Sequence, residues 1–139
     1  MGGIGVVIAE RSSQVTYPDK TVARAARAVR CAPFGLNFYA AMRDRSVGIA
    51  ELVGVAAVQQ AMTRSALSEL VAETELTWLI QVGMLRREVD GQGLTDRFRL
   101  TPLGFLLLDR WQSAPQTWQP AGWRDRWRNR LKRWLRWPI

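Results

Sequence analysis

The segment WLIQVGMLRREVDGQGLTDRFRLTPLG, Trp78 to Gly104, changes its repeat midway. Up to Val82 it continues an apolar stripe at helical spacing. Gly83 then supplies the residue type that most readily ends a helix, because it lacks the Cβ that opposes a left-handed turn. From Met84 onward the repeat becomes two: Phe98 and Leu100 alternate with Arg97 and Arg99, as in a strand with one face buried. Asp90-Gly91 is a strong turn signal, and Gly93 loosens the tip. Thr101-Pro102 opens another helix, with a hydroxyl cap and then a proline whose missing N–H is not needed in the first turn. The segment therefore predicts helix end, strand, turn, strand and helix start in succession.

Working outward toward the N-terminus, the chain reads as a series of helices. Asp19 is an N-cap for a helix through KTVARAARAVRCA, with Val22, Ala25, Ala26 and Val29 on one face. Pro33 interrupts, and FGLNFYAAMRDR follows with Phe34, Phe38 and Met42 at helical spacing. Ser46 is a cap for a third helix, VGIAELVGVAAVQQ. A fourth spans about 65–82, with Leu67, Leu70, Val71, Leu76, Leu79 and Ile80 as its apolar stripe. In the C-terminal direction PLGFLLLDRW is a mostly apolar helix, and QSAPQTWQP is a linker marked by Pro115 and Pro120.

Helices, a hairpin with a glycine-rich tip, and Leu100-Thr101-Pro102-Leu103-Gly104 at the next helix together resemble the winged helix-turn-helix fold. The blocks APFGLNFYAAMRDRS and WLIQVGMLRREVDGQGLTDRFRLTPLG are also similar to a group of small, uncharacterised winged-helix proteins of cyanobacteria. The resemblance covers roughly residues 18–112 and implies a mainly α fold with a small β-hairpin wing. The fourth helix would be the recognition helix. One departure stands out: Glu51 to Leu85 holds extra residues around VAAVQQAMTRS, so a lengthened helix or an inserted turn is expected there.

At 139 residues, the chain suits one domain with appendages. The expected division is a flexible leader over 1–17, the winged-helix domain over 18–112, a linker over 113–122 and a tail over 123–139. There is no histidine, and the single cysteine, Cys31, excludes an internal disulfide and a thiolate-cluster zinc site. No catalytic constellation is recognisable, so a non-enzymatic protein without cofactor or metal is expected. No apolar run is long enough to span a bilayer, and the first ten residues lack the basic start of a secretory signal, which points to the cytoplasm.

The net charge is +8, unevenly spread. Residues 46–90 carry three basic and six acidic side chains, whereas 113–139 carry seven basic against Asp125 alone. That tail, WRDRWRNRLKRWLRWPI, is an amphipathic helix in prospect. At about 100° per residue, Trp127, Leu131, Trp134 and Trp137 gather on the side of Trp123. Arg124, Arg126, Arg128, Lys132, Arg133 and Arg136 cover most of the remainder, and Arg130 intrudes on the stripe. Such a helix suits a membrane interface, where indoles sit at headgroup depth and the protein is peripheral. It equally suits a nucleic acid, with Arg on phosphate and Trp on bases, or packing against its own domain or a second copy.

Two functions follow from these features. As a DNA-binding regulatory module, the protein would hold phosphate through the tail and through Arg64, Arg86, Arg87, Arg97 and Arg99, with Gln92 and Thr95 as hydrogen-bonding partners near the wing tip. As a membrane-surface adaptor, it would anchor by the tail and present the acidic fourth helix, with Glu69, Glu73 and Glu75, to a protein partner. The carboxylates favour the adaptor, since they repel phosphate; the arginine-flanked wing favours DNA. The wing arginines have a plainer reading too, as solvated side chains paired with Glu88, Asp90 or Asp96. The partners compatible with the sequence are thus DNA, an anionic membrane, a protein on the fourth helix, and a homodimer mate.

Overall fold

A computed structural model describes residues 17–114. Among them are five α-helices and a three-stranded antiparallel sheet. The first helix, α1, spans Asp19–Cys31, with Asp19 in its first turn and Arg30 in its last, both suited to the helix dipole. Pro18, not Asp19, occupies the cap position, so Asp19 acts one residue later than its composition suggested. Ala25, Ala28 and Val29 are the buried side of α1. The second helix, α2, is Leu36–Ala41, shorter than the expected 34–45. Phe34 lies ahead of it in a β-bridge to Thr63, yet Phe34, Phe38 and Met42 all reach the core as their spacing predicted.

The third predicted helix is not a single element. Val47–Gly48 form a short strand, β1, followed by one 3-10 turn over Ile49–Leu52 and then by α3, Gly54–Gln59. The physical reason lies in Gly48 and Gly54. Gly54 has a φ of +79°, which breaks a continuous helix. A Cβ on Gly48 would lie 2.9 Å from an Arg97 guanidinium nitrogen, so this position serves close strand pairing. Ser46 accordingly does not cap a helix; it is buried and accepts hydrogen bonds from Arg97.

Between α3 and the fourth helix the extra residues form an inserted turn. It is tied down by Met62 N–H donating to Ala57, Gly35 N–H to Met62, and Arg64 N–H to Pro33. Gly54 N–H, at the start of α3, donates to the Leu67 carbonyl at 3.0 Å. That bond holds α3 against the approach to α4, Glu69–Gln81. Ser68 caps α4 by accepting from Val71 N–H at 3.2 Å, and Gly83, at φ +86°, ends it.

The sheet order is β1-β3-β2, with β2 at Leu85–Asp90 and β3 at Gly93–Leu100. Leu85 pairs with Leu100, Arg86 with Arg99, Val89 with Leu94, and the register shifts between Arg87 and Val89. β1 adds to the other edge of β3 through Val47–Phe98 and Gly48–Arg97. The hairpin turn closes with Gln92 N–H donating to Asp90 Oδ1 at 2.7 Å. Thr101 caps the last helix, α5, Pro102–Ser113, by accepting from Gly104 N–H at 3.0 Å; its hydroxyl also donates to the Gly83 carbonyl, joining two helix ends. Leu103, Leu107, Leu108 and Trp111 of α5 are buried in the core, where the Trp111 ring lies 6.3 Å from that of Tyr39. Among the described residues no helix is long and apolar enough to cross a membrane. The leader through residue 16 and the tail at 123–139 lie outside the described residues, as does the linker from 115 onward.

Candidate interaction surfaces

The arginines of the β2–β3 hairpin are mostly engaged within the fold. Arg97 donates from Nε to Ser46 Oγ at 2.8 Å and from Nη2 to the Ser46 carbonyl at 3.0 Å, and stands 3.7 Å from Glu51. Arg45 completes this cluster with a 2.9 Å ion pair to Glu51. The hydrogen bond from Arg45 is the main reason the Glu51 carboxyl is held below its usual range; Gly48 N–H and the charge of Arg97 act in the same direction. Arg99 donates to Glu88 at 2.7 Å and likewise lowers that carboxyl. Arg87 lies over the Phe98 ring at 5.0 Å and donates to the Thr95 carbonyl at 3.2 Å. Thr95 itself donates to the Glu88 carbonyl and accepts from Arg97 N–H.

Two hairpin residues face solvent without such ties. Arg86 is exposed and has no hydrogen bond or ion pair among the described residues, and the Gln92 side chain is exposed at the tip. Arg64 is elsewhere: half-buried, it donates to the Arg30 carbonyl at 3.2 Å, in the last turn of α1. The seven residues expected to hold nucleic acid are therefore not assembled into one free cationic surface. The tail residues Trp123, Arg124, Trp127, Arg128, Lys132, Arg133, Trp134, Arg136 and Trp137 fall outside the described residues.

The outer side of α4 has a different character. Its buried residues are Ala72, Leu76 and Leu79 on one side and Trp78 on another. At about 100° per residue, Leu70 lies about 120° and Val71 about 140° around the helix from Leu76. Both were expected in the core stripe; instead Leu70 is 73% exposed and Val71 45% exposed. Val55, at the start of α3, is 64% exposed. Glu69 and Glu73 flank this apolar surface, whereas Glu75 is half-buried and its charge is felt at Tyr39, whose phenol burial keeps neutral. Thr74 and Thr77 turn their hydroxyls back to the Leu70 and Glu73 carbonyls at 2.9 and 2.8 Å. The helix thus presents apolar groups and carboxylates, with no basic residue in its length.

A cationic surface does exist, on α1. Lys20, Arg24 and Arg27 sit at i, i+4 and i+7, away from the buried Ala25, Ala28 and Val29. They line a concavity of about 540 Å³ together with Thr21 and Ala23. The Nε atoms of Arg24 and Arg27 are buried and have no acceptor among the described residues. Leaving a shielded donor unsatisfied costs about 1–3 kcal/mol. Nothing in the residue spacing marks this surface, since arginines at these positions read as an ordinary solvated helix face.

Among the described residues there is no metal-ligating group of His, Cys, Asp or Glu side chains, and Cys31 is half-buried and not in a disulfide. A family model described as Npun_F0494-like matches residues 15–133. The chain belongs to that family. The cyanobacterial name of the Npun_F0494-like family agrees with the kinship inferred from the two sequence blocks. Its match runs beyond the 18–112 resemblance and takes in the linker and the tail through Arg133. Neither a curated protein nor a solved structure matches the chain.

Proposed function

We propose that the protein is a non-enzymatic adaptor: a winged-helix module that docks a protein partner on the α3–α4 surface, with the basic tail attaching it to an anionic membrane. The observation that carries this reading is the exposure of Leu70 and Val71 on α4, next in the chain to the exposed Glu69 and Glu73, with Val55 of α3 exposed as well. Apolar side chains left in water on a helix are the material of a docking surface, and flanking carboxylates select a partner with basic residues beside an apolar ridge. The winged-helix assignment draws support from the β1-β3-β2 sheet order and from the placement of α4 immediately before the hairpin.

A second reading keeps DNA as the partner, favoured by Arg86, whose guanidinium is uncommitted on the hairpin surface. Site-specific photo-crosslinking separates the two. A photoreactive residue is placed at Leu70, and separately at Arg86, in the full-length protein inside cells. Protein adducts from position 70 that vanish with Glu73→Lys support the adaptor. Nucleic-acid adducts from position 86 with nothing at position 70 refute it. Vesicle co-sedimentation of the full chain, with and without phosphatidylglycerol, tests the membrane half: sedimentation indifferent to anionic lipid removes it.

A further inference from the structure

Resting on the reading of α4 as a docking surface, we propose that the chain's own tail, residues 123–139, covers this surface until an anionic membrane draws the tail away. The side chains around the helix set the requirement. At about 100° per residue, Leu70, Thr74 and Val71 fall in one outer arc, with Glu73 about 60° beyond Leu70 and Glu75 about 40° beyond Val71. Leu70, Thr74 and Val71 are all exposed, and the Thr74 hydroxyl is already turned back to the Leu70 carbonyl at 2.9 Å. The arc is therefore apolar, with a carboxylate on each flank and no basic residue along the helix. It fits an apolar stripe bordered by cations on both sides.

The tail's sequence carries that complementary pattern. On the same helical count Trp127, Leu131, Trp134 and Trp137 gather on the side of Trp123, with Arg126 and Arg133 on one flank of the stripe and Arg124 and Arg128 on the other. The tail is also within reach. The described residues end at Ala114, just after α5, whose Trp111 ring lies 6.3 Å from that of Tyr39, and the Glu75 charge is in turn felt at Tyr39. The end of α5 thus lies one buried ring away from the middle of α4. Extended, residues 115–122 span up to about 26 Å, against about 20 Å for the whole of α4. A tethered segment meets its site at an effective concentration on the order of millimolar, well above that of a free partner. One family model, moreover, spans both α4 and the tail through Arg133. The tryptophans that would cover α4 are those that would enter a lipid interface, so the two placements exclude each other.

The test uses the purified full-length protein with a photoreactive residue at position 70. Mixing isotopically heavy and light chains separates adducts within one chain from adducts between two, and mass spectrometry maps them. Adducts within one chain onto the tail are expected, reduced roughly fivefold or more by Trp127→Ala/Trp134→Ala and by Glu73→Lys. Positions 70 and 73 are exposed, so the domain should stay folded, as circular dichroism will verify. Lys132→Gln, opposite the tryptophan stripe, should change the yield by less than about twofold. Vesicles containing phosphatidylglycerol should remove the adducts as the protein sediments, whereas phosphatidylcholine vesicles should leave them in place. The proposal is overturned by adducts only between chains, by none on the tail, or by a yield indifferent to Glu73→Lys. Equal losses in Trp127→Ala/Trp134→Ala and Lys132→Gln, or undiminished adducts on vesicle-bound protein, overturn it too. Adducts within the purified chain, with no other protein captured at position 70 in cells, would leave the tail on α4 and remove only the partner.

Discussion

Replacing Arg97 with alanine separates a structural arginine from a ligand-binding one. Arg97 makes two hydrogen bonds to Ser46, at 2.8 and 3.0 Å, and a longer ion pair to Glu51 at 3.7 Å. Its side chain is 43% exposed, so each charged hydrogen bond is placed at the low end of the usual range, about 1 kcal/mol. The ion pair, screened at both ends, adds about 0.3 kcal/mol. The buried Ser46 hydroxyl also loses the partner that satisfied it. Arg97→Ala should therefore destabilise by about 2–3 kcal/mol, a fall in Tm of roughly 10 °C for a chain of this size. Differential scanning calorimetry of the full-length protein measures it directly. Arg86→Ala removes the same charge from the same hairpin and should change stability by less than about 0.5 kcal/mol. Equal Tm values for Arg97→Ala and the unmodified protein would show that the Ser46 contacts carry no stability, and the assignment of Arg97 to the fold would fail.

Three further outcomes are expected. Gly104→Ala places a Cβ 2.5 Å from the Met84 carbonyl oxygen, backbone that cannot readily yield, and 2.9 Å from a Leu100 methyl; after the helix-propensity gain of alanine, a net loss of about 2 kcal/mol should appear in the urea midpoint. Glu51 and Glu88 both have lowered carboxyl pKa values, so their contribution is present above the ordinary value of 4.5 and is lost as pH falls through the depressed folded values. Tm should accordingly hold from pH 7 to 5 and then decline, with a shallower decline in Glu51→Gln. Leu70→Glu, at a side chain already 73% exposed, should alter stability by less than about 0.5 kcal/mol while abolishing the protein adducts formed from a photoreactive residue at the neighbouring Val71.

The hairpin and its flanks were legible because each signal is local. Gly83, Asp90-Gly91, the Phe98–Leu100 alternation and Thr101-Pro102 all act within a few residues of themselves, and all fall where expected. The 47–60 segment misled for the opposite reason. Its apolar run suits a helix, but Val47 and Gly48 pair with residues of β3 far along the chain, and that partner leaves no local mark. The α4 surface was misread through register: counting Leu70 and Val71 into the stripe overlooked Ala72, a small residue that sets the buried side with Leu76 and Leu79. The hairpin arginines looked available because sequence alone does not reveal that Ser46, Glu51 and Glu88 stand within reach. Nor does residue spacing reveal that the Nε atoms of Arg24 and Arg27 find no acceptor among the described residues.

The Ser46–Arg97 contact has a consequence in time as well as in energy. The two residues are 51 positions apart, whereas the strands of the hairpin meet across a turn of two. A hairpin closes in microseconds from its own turn, but β1 has nothing to pair with until β3 exists and the helices between them have compacted. β1 is therefore the late strand of the sheet, and the first to be released when the protein opens. Such an opening would uncover one edge of β3 while leaving the hairpin whole, and would loosen α3 from the rest before α4 lets go.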